Sequence, residues 1–137
     1  MAKQKEGSLQ ERIQTLIEKR GGWVIKEWGN MTKRPGIPDL LFCYKGLFCA
    51  IEAKIENNEA SRQQEIQLRK IKKSGGLIRI CWSIKDAEDF LNEIDKTLSN
   101  YLDDGWYFDE VLDVIIKNIN NSLRNIEIDL GGKNGNI

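Results

Sequence analysis

Two β-rich runs, Asp39 to Tyr44 and Leu47 to Ile55, are separated only by Lys45-Gly46. Glycine supplies the positive φ that short hairpin loops need, so the sequence predicts a β-hairpin here. If the loop is only those two residues, Tyr44 lies opposite Leu47, and the same register places Asp39 opposite Glu52. A three-residue loop would turn one strand over, so this pairing depends on the length of the loop.

Side chains alternate between the two faces of a strand, and this separates the second run into two sets. One face carries Phe48, Ala50, Glu52 and Lys54, and the other carries Cys49, Ile51, Ala53 and Ile55. Two ionised carboxylates about 5 Å apart repel by roughly 3 kcal/mol at an effective dielectric near 20. A divalent cation would compensate this repulsion, and Mg²⁺ needs only one or two carboxylates from the protein. The spacing therefore predicts a metal site with a lysine beside it.

The composition narrows the chemistry that is available. The 137 residues are expected to form one core, and the three cysteines, none in CxxC spacing, are expected to be buried thiols of a reducing compartment. The chain contains no histidine, which excludes Ser-His-Asp and Cys-His catalysis and His-ligated zinc. A polar N-terminus and the lack of a long apolar run predict a soluble, cytoplasmic protein with no membrane association.

The zero net charge conceals an asymmetry along the chain. Residues 1–85 hold 17 Lys and Arg against 9 Asp and Glu, whereas residues 86–137 hold 4 against 12. A basic region around the carboxylate hairpin would attract a polyanion such as DNA. The acidic remainder would face elsewhere, or dock on a basic surface of the same chain or of a second copy.

The hydrophobic pattern predicts an α/β fold. We expect a core over residues 1–99 and an acidic extension over residues 100–137 that packs on this core or at a subunit interface. The order is a helix, a three-strand antiparallel meander, a helix, a further strand added in parallel, and a helix. The expected bounds are helices over 8–20, 62–73 and 83–98, strands over 23–28 and 77–82 beside the hairpin, then a helix over 111–119 and a short strand over 126–130.

Further candidate residues lie on these elements. Glu6 falls on the inward stripe of the first helix and could reach Asp39 and Glu52. Gln64 points inward near a helix start, where it is either a cap or a functional residue. Cations near the site either belong to solvated surfaces or contact the DNA backbone: Lys26, Lys33, Arg34, Arg62, Arg69, Lys70, Lys72 and Lys73.

The ordered motifs resemble the PD-(D/E)XK nuclease superfamily, with its restriction-endonuclease-like core, and within it a stand-alone VRR-NUC domain of the phage and bacterial kind. Glu6 to Gln10 resembles the Glu-x-x-hydrophobic-Gln helix start, and Gly36-Ile-Pro-Asp39 resembles the Gly-x-Pro-Asp motif. Glu52-Ala-Lys54 resembles Glu-x-Lys, and Gln64 resembles the final glutamine. The resemblance covers about residues 6–90, and the acidic extension lies outside it.

The resemblance implies a Mg²⁺- or Mn²⁺-dependent endonuclease that hydrolyses DNA phosphodiesters, often in branched or flap DNA, and acts as a homodimer like Holliday junction resolvases. Asp39 and Glu52 would hold the metal, helped by the Ala53 carbonyl and by Glu6. Lys54 would orient or deprotonate the attacking water, and Gln64 would position Lys54 or the phosphate. Three alternatives stay open: a catalytically silent junction-binding or phage interference protein, a sequence-specific restriction-type nuclease, and a structural domain with an ordinary salt bridge.

Overall fold

The computed structural model describes residues 2–27 and 35–121, with side chains from residue 5 onward. In chain order, its elements are α1 (Ala2–Lys19), β1 (Trp23–Lys26), β2 (Leu40–Tyr44), β3 (Leu47–Ala53), α2 (Arg62–Lys73), β4 (Leu77–Cys81), α3 (Ile84–Asp103) and α4 (Phe108–Asn120). The α/β fold and the order of its elements are those predicted. The expected strand over 126–130 lies outside the described residues.

The hairpin has the predicted two-residue loop and register. Tyr44 pairs with Leu47 and Leu40 with Ile51, so the next position brings Asp39 opposite Glu52. Lys45 and Gly46 have φ values of 52° and 83°, the left-handed region that a tight hairpin turn requires. The sheet has the order β1-β2-β3-β4, with antiparallel pairs except between β3 and β4, which are parallel as expected.

The two faces of the sheet are covered unequally. The larger apolar cluster joins α1, α3 and α4 to the face that carries Phe42, Cys49 and Ile51. The smaller cluster lies under α2, and among the described residues it has four buried members, Ala50, Leu68, Ile78 and Ile80. Glu52 and Lys54 project from the same face as Ala50, because side chains on a strand alternate. The predicted division of β3 into two faces is therefore confirmed.

The C-terminal part packs on this core within the same chain. Helix α3 continues to Asp103, past its expected end near residue 98, so the expected boundary at residue 99 falls inside a helix. In α4, Val111, Ile115 and Ile119 join the larger cluster. Asn120 is fully buried: its amide accepts from the Ile78 N–H and donates to the Gly76 carbonyl, both at 2.8 Å. In the described part of the chain, no helix is long and apolar enough to cross a membrane.

Candidate active site

Backbone hydrogen bonds lock the two carboxylates to the hairpin strands. The Asp39 N–H donates to Glu52 Oε1 at 3.2 Å, and the Ala53 N–H donates to Asp39 Oδ2 at 2.9 Å. Each carboxylate therefore accepts a hydrogen bond from the backbone of the opposite strand. On the other side, the Asp39 carbonyl accepts from the Glu27 N–H at 2.7 Å, which ties Asp39 to the end of β1. Both acidic side chains are thus held at the start of β2 and the end of β3.

Glu52 is fully buried, and its Oε2 atom has no hydrogen-bond donor among the described residues. Its pKa is raised to about 9, first by burial and then by the neighbouring charge of Asp39, while Lys54 acts in the opposite direction. Without a cation the Glu52 carboxyl is therefore protonated at neutral pH. A buried acid with an unsatisfied oxygen is costly for the fold, and it marks a place where a cationic ligand would be favourable.

Lys54 and Glu6 complete the charged surroundings. Lys54 is half-buried, and its N–H donates to the Cys81 carbonyl at 2.9 Å, so the backbone beyond β3 is held against β4. Glu6, near the start of α1, is half-buried, and burial raises its pKa. Lys54 lowers and Asp39 raises the same pKa, which shows that both lie within electrostatic reach of Glu6. The structure thus places Asp39 and Glu52 next to each other, with Lys54 and Glu6 within electrostatic reach of this pair.

The turn before Asp39 is packed against the beginning of α2. Gly36 has a φ of 82°, and a Cβ atom there would overlap the Gln63 carbonyl and lie 2.9 Å from the Gln64 nitrogen. Only glycine permits this approach. The Gln64 side chain accepts from the Ser61 N–H at 2.8 Å, and the Ser61 hydroxyl accepts from the Gln64 N–H, forming a capping box. Of its two predicted roles, the structure shows the cap; an action on Lys54 or phosphate stays a prediction.

The cations predicted to contact DNA are placed differently from one another. Lys26 faces α1, where its side chain is 8% exposed and lies 3.8 Å from Glu11. Arg69 is also nearly buried and pairs with Glu65. These placements disfavour DNA contact by either residue, and they arise from long-range packing that charge patterning does not reveal. Arg62 and Lys73 are exposed, and Lys72 is half-buried beside Asn121. Lys33 and Arg34 lie outside the described residues.

The donor set at the hairpin fits a hard divalent cation, although it is smaller than the resemblance implies. In residues 2–27 and 35–121, no three His, Cys, Asp or Glu side chains are close enough to form one metal site. Two carboxylates are close, and a site that keeps several waters on Mg²⁺ needs no more than that. The unsatisfied Glu52 oxygen is the observation that favours such an ion. Glu6 does not complete a three-carboxylate cluster in this arrangement.

The fold and the site together define a restriction-endonuclease-like α/β domain. A search of solved structures finds a likeness to a VRR_NUC domain, with a TM-score of 0.56 and 28% sequence identity over 64% of this chain and 95% of that one. The resemblance predicted from the motifs is thereby confirmed, and it indicates a nuclease-type domain. No protein-family model matches the chain. No curated protein matches it either.

Proposed function

We propose that this protein is a divalent-metal-dependent DNA endonuclease that hydrolyses phosphodiester bonds and prefers branched DNA. The observation that carries the proposal is the fully buried Glu52, with one unsatisfied oxygen, directly across the hairpin from Asp39. The likeness to a VRR_NUC domain supports the nuclease class. A structural salt bridge would supply a cationic donor to Glu52 Oε2, and among the described residues this atom has no donor.

Asp39 and Glu52 are the residues that would hold Mg²⁺ or Mn²⁺, with the Ala53 carbonyl as a further oxygen. Such an ion supplies charge stabilisation to the scissile phosphate and lowers the pKa of a water molecule. The backbone N–H groups of Asp39 and Ala53 orient the two carboxylates before substrate arrives, which reduces the cost of organising the site.

Lys54 acts on the substrate in this proposal. Its ammonium group lies within electrostatic reach of Glu6 and Glu52, on a strand end fixed by the Cys81 carbonyl. From that position the ammonium offsets charge on the phosphate and holds the attacking water. The alternative role, accepting a proton from that water, requires the uncharged amine. Glu6 assists through water, since it is not part of a close carboxylate cluster.

A cleavage panel tests the proposal. Labelled four-way junction, flap, splayed and linear duplex DNA are incubated with the protein and Mg²⁺, Mn²⁺ or EDTA. We expect metal-dependent cleavage, fastest on a branched substrate. Asp39→Asn, Glu52→Gln and Lys54→Ala are expected to abolish cleavage while DNA binding in EDTA is retained. The matched controls, Glu59→Gln and Lys96→Ala, change exposed residues outside the site and are expected to cleave like the wild type.

The outcomes separate the proposal from its alternatives. Binding to junctions without cleavage in either metal would indicate a catalytically silent binding protein. Cleavage of linear duplex at discrete sequences would indicate a restriction-type nuclease. Cleavage that survives in Lys54→Ala would refute the role of Lys54. A dimer, which would let two sites act on one junction, is tested by sedimentation with and without DNA.

A further inference from the structure

The sheet face beneath α2 is left partly open. Trp23, Ile25 and Phe48 are 67%, 43% and 51% exposed, and all three project from this face. Trp23 pairs with Cys43, and Cys43 pairs with Phe48, so these three side chains form one row across β1, β2 and β3. We name this row, which has Trp23 and Phe48 at its ends and Cys43 between them, the aromatic row. Large exposed apolar surface on a protein of this size indicates a binding site.

A groove lies between α2 and Phe48, which forms one end of the aromatic row. Its floor is formed by Leu41 and Phe48, one wall by Ile37 and Pro38, and the other by Lys70 and Ile71 of α2, around a volume of about 500 Å³. Small-molecule sites have volumes of about 300 to 1,000 Å³. The groove is therefore wide enough for planar groups the size of nucleobases, and its surface is largely apolar with a lysine on one wall.

The groove leads to the candidate active site. Pro38, in its wall, directly precedes Asp39, and Glu52 projects from the same face as Phe48. Cys43 lies four positions after Asp39, a separation of about 13 Å at the rise of an antiparallel strand. A DNA strand with one phosphate at Asp39 and Glu52 could therefore continue along this face to the aromatic row.

The positive charge of helix α2 favours a polyanion, rather than a second copy of this chain, as the partner that binds this face. Besides the nearly buried Arg69–Glu65 ion pair, helix α2 carries four cations and no other carboxylate: Arg62, Lys70, Lys72 and Lys73. A two-fold pairing of two such faces would bring two cationic helices together, which is unfavourable. Single-stranded nucleic acid combines phosphates for the cations with bases that stack on aromatic rings.

We propose that the groove and the aromatic row bind an unpaired strand of DNA next to the scissile phosphate, with bases stacked on Phe48 and Trp23 and a phosphate near Lys70. This inference rests on the proposed nuclease function and names the surface that would hold the unpaired strand of a branched substrate. Blunt duplex has no free bases, so it gains nothing from the aromatic row.

The test is a binding measurement in EDTA, where no cleavage occurs. Fluorescence anisotropy is recorded with a blunt duplex and with the same duplex carrying a ten-nucleotide 5′ or 3′ tail. The wild type is expected to bind one tailed duplex at least tenfold more tightly than the blunt one. Stacking on an aromatic ring contributes enough that Trp23→Ala and Phe48→Ala should each weaken tailed binding by about fivefold or more. Blunt binding should not change.

Matched controls test whether the loss of any exposed aromatic ring weakens DNA binding. Trp106→Ala and Tyr107→Ala remove exposed rings from the turn between α3 and α4, where Trp106 packs on Tyr101. They should bind both duplexes like the wild type. Lys70→Glu keeps every ring and should weaken tailed binding more than blunt binding. Circular dichroism checks that each variant is folded. If Trp23→Ala or Phe48→Ala does not fold, the binding of Lys70→Glu still tests the proposal.

Three results would overturn the proposal. The first is tailed binding by Trp23→Ala, Phe48→Ala and Lys70→Glu equal to that of the wild type. The second is an equal loss on tailed and blunt DNA. The third is a wild-type dimer that Trp23→Ala converts to monomer while DNA binding is unaffected, which would assign the face to a second copy.

The proposed function can fail separately. If no DNA is cleaved in Mg²⁺ or Mn²⁺, the nuclease proposal fails, and the tail preference in EDTA still decides whether the groove binds a single strand. If cleavage occurs with no tail preference in binding, the nuclease proposal stands and this inference does not.

Discussion

Replacing Glu52 by glutamine is expected to stabilise the metal-free protein while abolishing cleavage. Glu52 is fully buried, and its pKa is raised from 4.5 to about 9, first by burial and then by Asp39. A folded-state pKa above the unfolded value means that the fold favours the protonated acid. Stability from this group is therefore complete below pH 4.5 and is lost progressively as the pH rises through 9. Glutamine resembles the protonated acid in shape and has no charge to lose.

The size of the effect follows from the pKa. Each pKa unit corresponds to 1.36 kcal/mol, so the wild type should lose about 4 kcal/mol of unfolding free energy between pH 5 and pH 8 from this group. The unfolding free energy of Glu52→Gln should not show this loss between pH 5 and pH 8. At pH 8 in EDTA we expect it to be more stable by about 2 to 4 kcal/mol, the lower value allowing for an imperfect fit of the amide. At pH 5 the two proteins should differ by less than about 1 kcal/mol.

Urea unfolding followed by circular dichroism at pH 5 and pH 8 measures the difference directly. The control is Glu59→Gln, which removes an exposed carboxylate and should follow the wild type at both pH values. Adding Mn²⁺ at pH 8 should stabilise the wild type and leave Glu52→Gln unchanged, because the ion replaces the proton on Glu52. A Glu52→Gln protein that is less stable than the wild type at pH 8, or equally pH-dependent, would refute the reasoning.

Three further substitutions test the framework around the site. Gly36→Ala should destabilise the protein by about 2 kcal/mol or more, since φ is 82° and the new Cβ overlaps Gln63; thermal unfolding measures this, with Gly7→Ala, which has open space around it, as the control. Asn120→Ala should cost about 2 to 3 kcal/mol in urea unfolding, because it removes the two buried hydrogen bonds that Asn120 makes with the Ile78 N–H and the Gly76 carbonyl, whereas exposed Asn118→Ala should have little effect. Asp39→Asn should remove metal-dependent thermal stabilisation, and a wild-type-like shift with Mn²⁺ would contradict its role as a ligand.

Local signals in the sequence are sufficient to predict the hairpin and the positions of its two carboxylates. The Lys45-Gly46 loop sets the register, and a register combined with side-chain alternation determines which residues share a face. The predicted bounds of α2 agree with the structure because Ser61 and Gln64 form a capping box at its start and Ser74-Gly75 ends it. These features depend on neighbours within a few residues, which a single sequence shows.

The features that sequence reasoning missed depend on partners far along the chain. Lys26 pairs with Glu11 across α1 and β1, and Asn120 pairs with the backbone of β4 more than 40 residues away. One signal for Asn120 is present in the sequence. It follows Ile116 by four residues and so lies on the inward face of the helix, where a polar side chain needs a hydrogen-bond partner. Strand alternation predicts that Phe48 lies on the face of Glu52, but only the structure shows that α2 leaves its side chain exposed.

The unequal covering of the sheet explains how the protein can leave apolar surface open beside its site. The larger cluster, under α1, α3 and α4, includes fully buried rings such as Phe42 and Phe90, and burial of such side chains contributes about 1.5 to 3 kcal/mol each. The cluster under α2 has four buried members among the described residues and contributes less. Stability therefore depends mainly on the face away from the site. The face with Glu52 and Phe48 can then be shaped for a ligand, including an acid that destabilises the metal-free fold.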